Sequence, residues 1–156
     1  MQDLYNRVVA LIGKSGEDLE VRLFLEELKE MPIPVGSMSC FPVSGFYLSR
    51  RFAIISGALF PLKTPAVEAG TILPFSGVLP FGIAVSDNKH IVLTKIGLKP
   101  IGSQTPIKKV VTRDECHQNV DTFELPNSLI LEVSYDSAGN SLAALLIRPS
   151  VKDLRN

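Results

Sequence analysis

The sequence is short of the residues that build metal and redox centres: its cysteines are Cys40 and Cys116, and its histidines are His90 and His117. A structural zinc site asks for about four ligands at paired spacings. No such pairing occurs here, so neither a metal nor a cofactor is expected. Long apolar runs are also missing. The two most apolar stretches, Phe52 to Leu62 and Ile72 to Val85, fall short of the roughly 20 residues a spanning helix needs. Pro74 and Pro80 interrupt the second. The opening residues carry no basic segment followed by an apolar stretch and a small-residue cleavage site, which argues against a secretion signal. With so few thiols, the expectation is a cytoplasmic protein with reduced cysteines and no membrane association. Glycine-rich phosphate loops, dinucleotide fingerprints and nucleophile elbows are absent. So is any excess of one charge, with 16 basic residues against 16 acidic ones. Together with the lack of zinc-finger, helix-turn-helix or base-stacking motifs, this argues against a dedicated nucleic-acid binder.

What is present is the composition of an ordinary globular domain, 46% hydrophobic and 21% charged. A chain of 156 residues can build one sizeable core. No repeat or low-complexity tract divides it, so residues 1–156 read as one domain with a polar tail from 149 to 156. Leu4, Val8, Leu11 and Ile12 predict a first short helix stopped at Gly13. Ser15, Gly16, Glu17 and Asp18 resemble a capping-box entry to a second, whose stripe reads Leu19, Leu23, Phe24 and Leu28. Pro32 and Pro34 close that segment. Gly45 to Leu48 and Arg51 to Phe60 predict two neighbouring strands linked at Ser49-Arg50. In the second, Phe52, Ile54, Ala58 and Phe60 share one face, and Ala53, Ile55 and Leu59 the other, as in a central strand covered on both sides. Residues 61–86, rich in proline and glycine, predict a partly buried connection. Asp87 offers an N-cap to a short helix with Val92, Leu93 and Ile96 on one face and Gly97 at its end. Ile107 to Thr112 reads as a further strand. The run from Ser128 to Tyr135, the loop through Gly139 and the run to Ile147 predict a terminal hairpin. The fold class expected is α+β: an N-terminal helical pair packed with a mainly antiparallel sheet, one short extra helix and a C-terminal β-hairpin.

Charge is segregated along the chain. Lys89, Lys95, Lys99, Lys108, Lys109 and Arg113 form a basic block, followed by the acidic Asp114, Glu115, Asp121, Glu124, Glu132 and Asp136. Such blocks either make a docking surface or neutralise each other as ordinary solvated faces. The densest reactive cluster is Asp114-Glu115-Cys116-His117. Adjacent residues seldom present a thiolate and an imidazole to one substrate, so a polar loop is the reading preferred over a small Cys/His enzyme.

Several segments in order carry a resemblance: VVALIGKSGEDLEVRLFLEELKEMP, GFYLSRRFAIISGALF, GVLPFGIAVSD before TKIG, DTFELP, and LILEVSYDSAGNSLAALLI. Over residues 4–148 the chain resembles bacterial immunity proteins of polymorphic toxin systems, the antidotes of contact-dependent or type VI secreted toxins. The resemblance implies a non-enzymatic protein that binds a cognate toxin effector domain and occludes its active site or its access to substrate. It transfers no catalytic residues. For a basic toxin, the expected docking residues are Asp114, Glu115, Asp121 and Glu124, or the acidic face of the second helix with Glu20, Glu26, Glu27 and Glu30. Exposed members of Tyr47, Arg50, Arg51 and Phe123 are the candidate anchors, with a core role the equal alternative for Tyr47 and Phe123. A structural or adaptor domain of a bacterial assembly is the alternative.

Overall fold

The computed structural model describes residues 3–63, 73–104, 119–136 and 138–150. The strand expected over 107–112 and the cluster 114–117 lie outside them.

Asp3 starts α1 (Leu4–Val9) because its carboxylate accepts from the Tyr5 amide at 3.0 Å and the Asn6 side chain at 2.9 Å. The chain then turns through Gly13, and residues 13–16 run beside a strand described below. α2 (Leu19–Leu28) begins later than the capping-box pattern implies. Asp18 occupies the N-cap, with its carboxylate taken by the Ser15 amide at 3.0 Å, while the Ser15 hydroxyl accepts from the Glu17 amide at 3.1 Å. Its buried stripe also differs from the expected one. Val21 and Phe24 are buried and Leu25 and Leu28 pack partly against the core. These follow the i, i+3, i+4, i+7 spacing of one helical face. Leu19 and Leu23 sit on the opposite face, 67% and 49% exposed.

Among the described residues eight strands form one antiparallel sheet in the order β1-β2-β3-β4-β8-β7-β6-β5. These are β1 (Ile33–Val35), β2 (Met38–Phe41), β3 (Phe46–Arg51), β4 (Ile54–Pro61), β5 (Gly102–Gln104), β6 (Val120–Glu124), β7 (Leu129–Tyr135) and β8 (Leu142–Pro149). In each half every strand neighbours its predecessor in sequence, and the halves meet where β4 pairs with β8. Segment 62–101 links them and, among its described residues, carries a 3-10 turn (Pro80–Gly82) and α3 (Lys89–Ile96). The class is α+β, with the expected helical pair ahead of the sheet and a closing β7–β8 hairpin whose loop turns through Gly139 at φ 74.

The β3–β4 turn is three residues later than expected. Arg51 pairs with Ile54, leaving Phe52 and Ala53 as the loop, and a bulge interrupts the ladder between Ser49 and Arg50. Ser49 faces Gly57 and Arg50 faces Ile55, so Ser56 is the extra residue. That insertion turns Ile55 onto the face of Ala58 and Phe60, where all three are buried, and so overturns the expected alternation. The strand is nonetheless central and apolar on both sides, since Leu59 packs with Met38, Cys40 and Tyr47 on the other face.

The main core lies on the helix-bearing face. Tyr5 of α1 stacks on Phe60 with ring centroids 4.9 Å apart, Phe60 meets Phe75 edge-on at 4.9 Å, and Phe46 joins Phe41 at 4.7 Å. Phe75 and its neighbours Leu79 and Ile83 are buried, as expected of that connection. Gly45 permits this: at φ 83, an added Cβ would lie 2.7 Å from the Phe75 amide nitrogen. α3 is capped by Asn88, which accepts from the Ile91 amide at 2.9 Å, and not by Asp87. Val92 and Ile96 enter the core, and Gly97 ends the helix at φ 72.

Candidate functional site

Of the acidic residues expected to dock a partner that lie among the described residues, Asp121, Glu20, Glu27 and Glu30 have partners within the molecule, and Glu26 and Glu124 are exposed. Asp121 is a correction: its side chain is fully buried, bonded to the Tyr135 hydroxyl at 3.0 Å and 3.5 Å from the Lys89 ammonium, so it is not a surface acid. Burial, with Asp121 second, pushes the Tyr135 phenol well above its ordinary pKa. The Lys89–Asp121 pair also joins the basic and acidic blocks, which therefore partly cancel. Glu20 pairs with Lys14 at 2.7 Å, and Glu27 pairs with Arg7. Glu30 accepts from the Val43 and Ser44 amides and the Ser44 hydroxyl, which fixes the β2–β3 loop. Glu26 is exposed. Glu124 is exposed on a shallow depression of about 490 Å³ with Lys99, Ile101 and Leu125. Asp114, Glu115, Cys116 and His117 lie outside the described residues. Of the candidate anchors, Tyr47 and Phe123 are core residues, whereas Arg50 and Arg51 are exposed.

The two exposed arginines flank the feature that stands out. Phe52, at the tip of the β3–β4 hairpin, is 90% exposed. Phe52 and Ala53 have φ of 53° and 68°, the left-handed values that a two-residue hairpin of the primed type demands and that Asn and Gly normally supply. Neither residue has the turn chemistry for this, and each carries a Cβ that crowds the backbone there. Backbone bonds from residues 13–16 brace the base of the tip nonetheless. The Ala53 carbonyl accepts from the Gly16 amide at 3.0 Å, and Ile55 exchanges backbone bonds with Gly13 at 2.8 Å and Lys14 at 2.9 Å. The Arg51 guanidinium lies 5.9 Å from the Phe52 ring centroid, within cation–π range.

Beside the tip the sheet is split. Residues 13–16 pair with β4 at its start, and β8 takes over only from Ala58 onward. Between these two partners opens a groove of about 780 Å³, lined by Ile12, Ile54, Leu129 and Pro149 together with Arg51 and Phe52. Its polar margin is Ser56, Asn127 and Ser128, and Arg51 is the charged residue of its lining.

No family model, curated protein or solved structure matches the chain.

The site is an apolar groove with one cation in its lining and an exposed aromatic ring at its side. Among the described residues no group of three or more His, Cys, Asp or Glu gathers to hold a metal ion. Also among them, no helix is long and apolar enough to cross a membrane. Sequence reasoning missed Phe52 because it was placed within a strand. The one signal available was the Phe-Ala-Ile-Ile run, in which four apolar residues in succession break the alternation just after two arginines.

Proposed function

We propose that this protein is a toxin-neutralising immunity protein that binds its toxin through the β3–β4 tip and the adjoining groove, and acts by covering the toxin's working surface. The observation that supports it is Phe52: a large ring 90% exposed, on a turn whose backbone is strained at two consecutive positions and braced by residues 13–16. Folding gains nothing from burying this ring, and strain of this kind concentrates where a segment has a job to do. A preorganised aromatic with an arginine beside it also has the character of an interface hot spot, since little entropy is lost when it docks. The resemblance in segment order supplies the class of partner.

Co-expression tests the reading. Toxin domains encoded beside this gene are expressed with the wild-type chain and with Phe52→Ala. The wild type is expected to restore growth and to co-purify with the toxin. Phe52→Ala is expected to weaken the complex by about 30-fold, the loss of one hot spot of about 2 kcal/mol, with unchanged thermal stability. Absence of rescue and of co-purification with every such toxin overturns the immunity reading. Wild-type affinity in the Phe52→Ala variant overturns the docking surface.

A further inference from the structure

The charges left at the docking surface are of the sign opposite to the one the acidic helix face suggested. Glu20 and Glu27 on α2 are paired with Lys14 and Arg7, and Glu30 is consumed by the β2–β3 loop. Asp121 is buried against Tyr135 and Lys89. In the groove the pattern reverses. Among the described residues no carboxylate pairs with Arg51, and the rest of the lining is apolar or neutral. Arg50 is exposed on the same hairpin, but its guanidinium lies against Gly16 and it is not part of the groove's lining. Arg51 is thus the groove's own charge.

We infer that the groove takes an acidic peptide segment of the partner, in which a carboxylate pairs with Arg51 while an apolar side chain lies against Phe52, Ile54 and Leu129. The inference rests on the tip being the docking surface, and it names the chemistry of what docks there. Arginine suits the role. Its planar guanidinium can bind a carboxylate through two parallel N–H donors while its face stays on the aromatic ring. A carboxylate arriving in a groove walled by aliphatic side chains meets its cation with less water between them than on open surface, which makes the pair selective.

Short fluorescein-labelled peptides that alternate leucine with aspartate and glutamate, and matched peptides that alternate leucine with lysine, are titrated against the full chain by fluorescence anisotropy. The acidic peptide is expected to bind and the lysine peptide not. Arg51→Ala should weaken the acidic peptide by about tenfold or more, the low end of coupling between close interfacial charges. Arg51→Glu should reverse the preference. Thermal unfolding of both variants checks that folding is intact, as expected for an exposed side chain. Equal binding of the two peptides, no binding of either, or an unchanged preference in Arg51→Glu overturns the inference. So does Arg51-dependent binding of oligothymidylate in place of the acidic peptide, which would make the anion a nucleic acid. The two readings fail separately. Acidic-peptide selectivity without rescue from any toxin sinks the immunity reading and keeps the groove's chemistry. Rescue that needs Phe52 but is indifferent to Arg51→Glu does the opposite.

Discussion

Phe52 and Phe60 lie on one hairpin and differ in what surrounds them. Phe60 is fully buried between Tyr5 and Phe75. Truncating it to alanine removes a ring from the centre of the aromatic chain and leaves a cavity, so Phe60→Ala is expected to cost about 3–5 kcal/mol in urea unfolding. Phe52→Ala is expected to stay within about 0.5 kcal/mol of wild type in the same experiment. A large loss at Phe52 would mean that the ring serves the fold and would remove the argument for its role at a surface. Two hydrogen-bonded carboxylates give a second handle. Asp87 is held below the usual carboxylate range by Lys95, whose ammonium is 2.7 Å away, and then by the Ala84 amide at 2.8 Å. Asp136 is lowered by the Asn140 amide and then the Ser141 hydroxyl. A group whose folded pKa is depressed contributes stability that is complete above its unfolded value of about 3.9 and is lost as pH falls toward the folded value. Stability is therefore expected to fall with acid below about pH 4. The fall should be shallower in Asp87→Asn and Asp136→Asn, as read from urea midpoints at successive pH values. An identical acid slope in both variants would show that these contacts do not carry it.

The strained turn belongs to the β3–β4 hairpin as an element, and its strain is open to measurement. Glycine at φ 68 removes the Cβ clash of Ala53 but adds freedom to the unfolded chain. The two effects leave Ala53→Gly more stable by about 0.5–1 kcal/mol, seen as a higher urea midpoint at constant slope. A midpoint that falls would show the left-handed tip to be unstrained. The same hairpin shows how far a sequence can be read. The closing β7–β8 hairpin is legible because its alternation is clean and its loop holds a glycine. α3 is legible because the residue that ends it, Gly97, has a positive φ, whereas α1, expected to run to Gly13, stops at Val9 with Ala10 as its C-cap. Phe52-Ala53 announces nothing, because braces from residues 13–16 impose a conformation its own side chains disfavour. Ile33-Pro34-Val35 reads as a break and is an edge strand, where a proline's missing N–H is tolerated. The stripe on α2 is half legible: Phe24 and Leu28 face the core as expected, but leucines occur on both faces, and Val21 and Leu25 turn inward in place of Leu19 and Leu23. The groove itself lies beyond sequence reasoning. It arises where two distant segments, 13–16 and β8, share one strand.

At the scale of the whole molecule, the sheet of the described residues is two four-stranded halves that meet at the seam where β4 pairs with β8. Residues 144–147 of β8 pair with β4 on one side and β7 on the other, which makes them the one stretch of β8 bonded to both halves among the described residues. The small edge strands β1 and β5 close the ends. Opening free energies rise with buried contacts on both sides of a strand, so the amides of Leu145 and Ile147 are expected to exchange with solvent most slowly and those of Ile33 and Val35 early. Gly57 lets the seam close: a Cβ there would stand 3.0 Å from the Ile147 carbonyl oxygen and 3.1 Å from the Ser49 hydroxyl. Gly57→Ala requires the Ile147 carbonyl and the Ser49 hydroxyl to give by a few tenths of an ångström at the junction and is expected to cost about 1 kcal/mol. If the halves are one cooperative unit, protection of Leu48 in β3 and of Leu131 in β7 falls together in that variant. Hydrogen exchange followed by mass spectrometry distinguishes this from two independent halves, in which β3 would lose protection while β6 and β7 kept theirs. Cooperation across the seam also bears on the groove, because its lining comes from Ile54 in one half and Leu129 and Pro149 in the other. A partner seated there would bind both halves at once, so occupancy should slow exchange at the seam as well as at the tip.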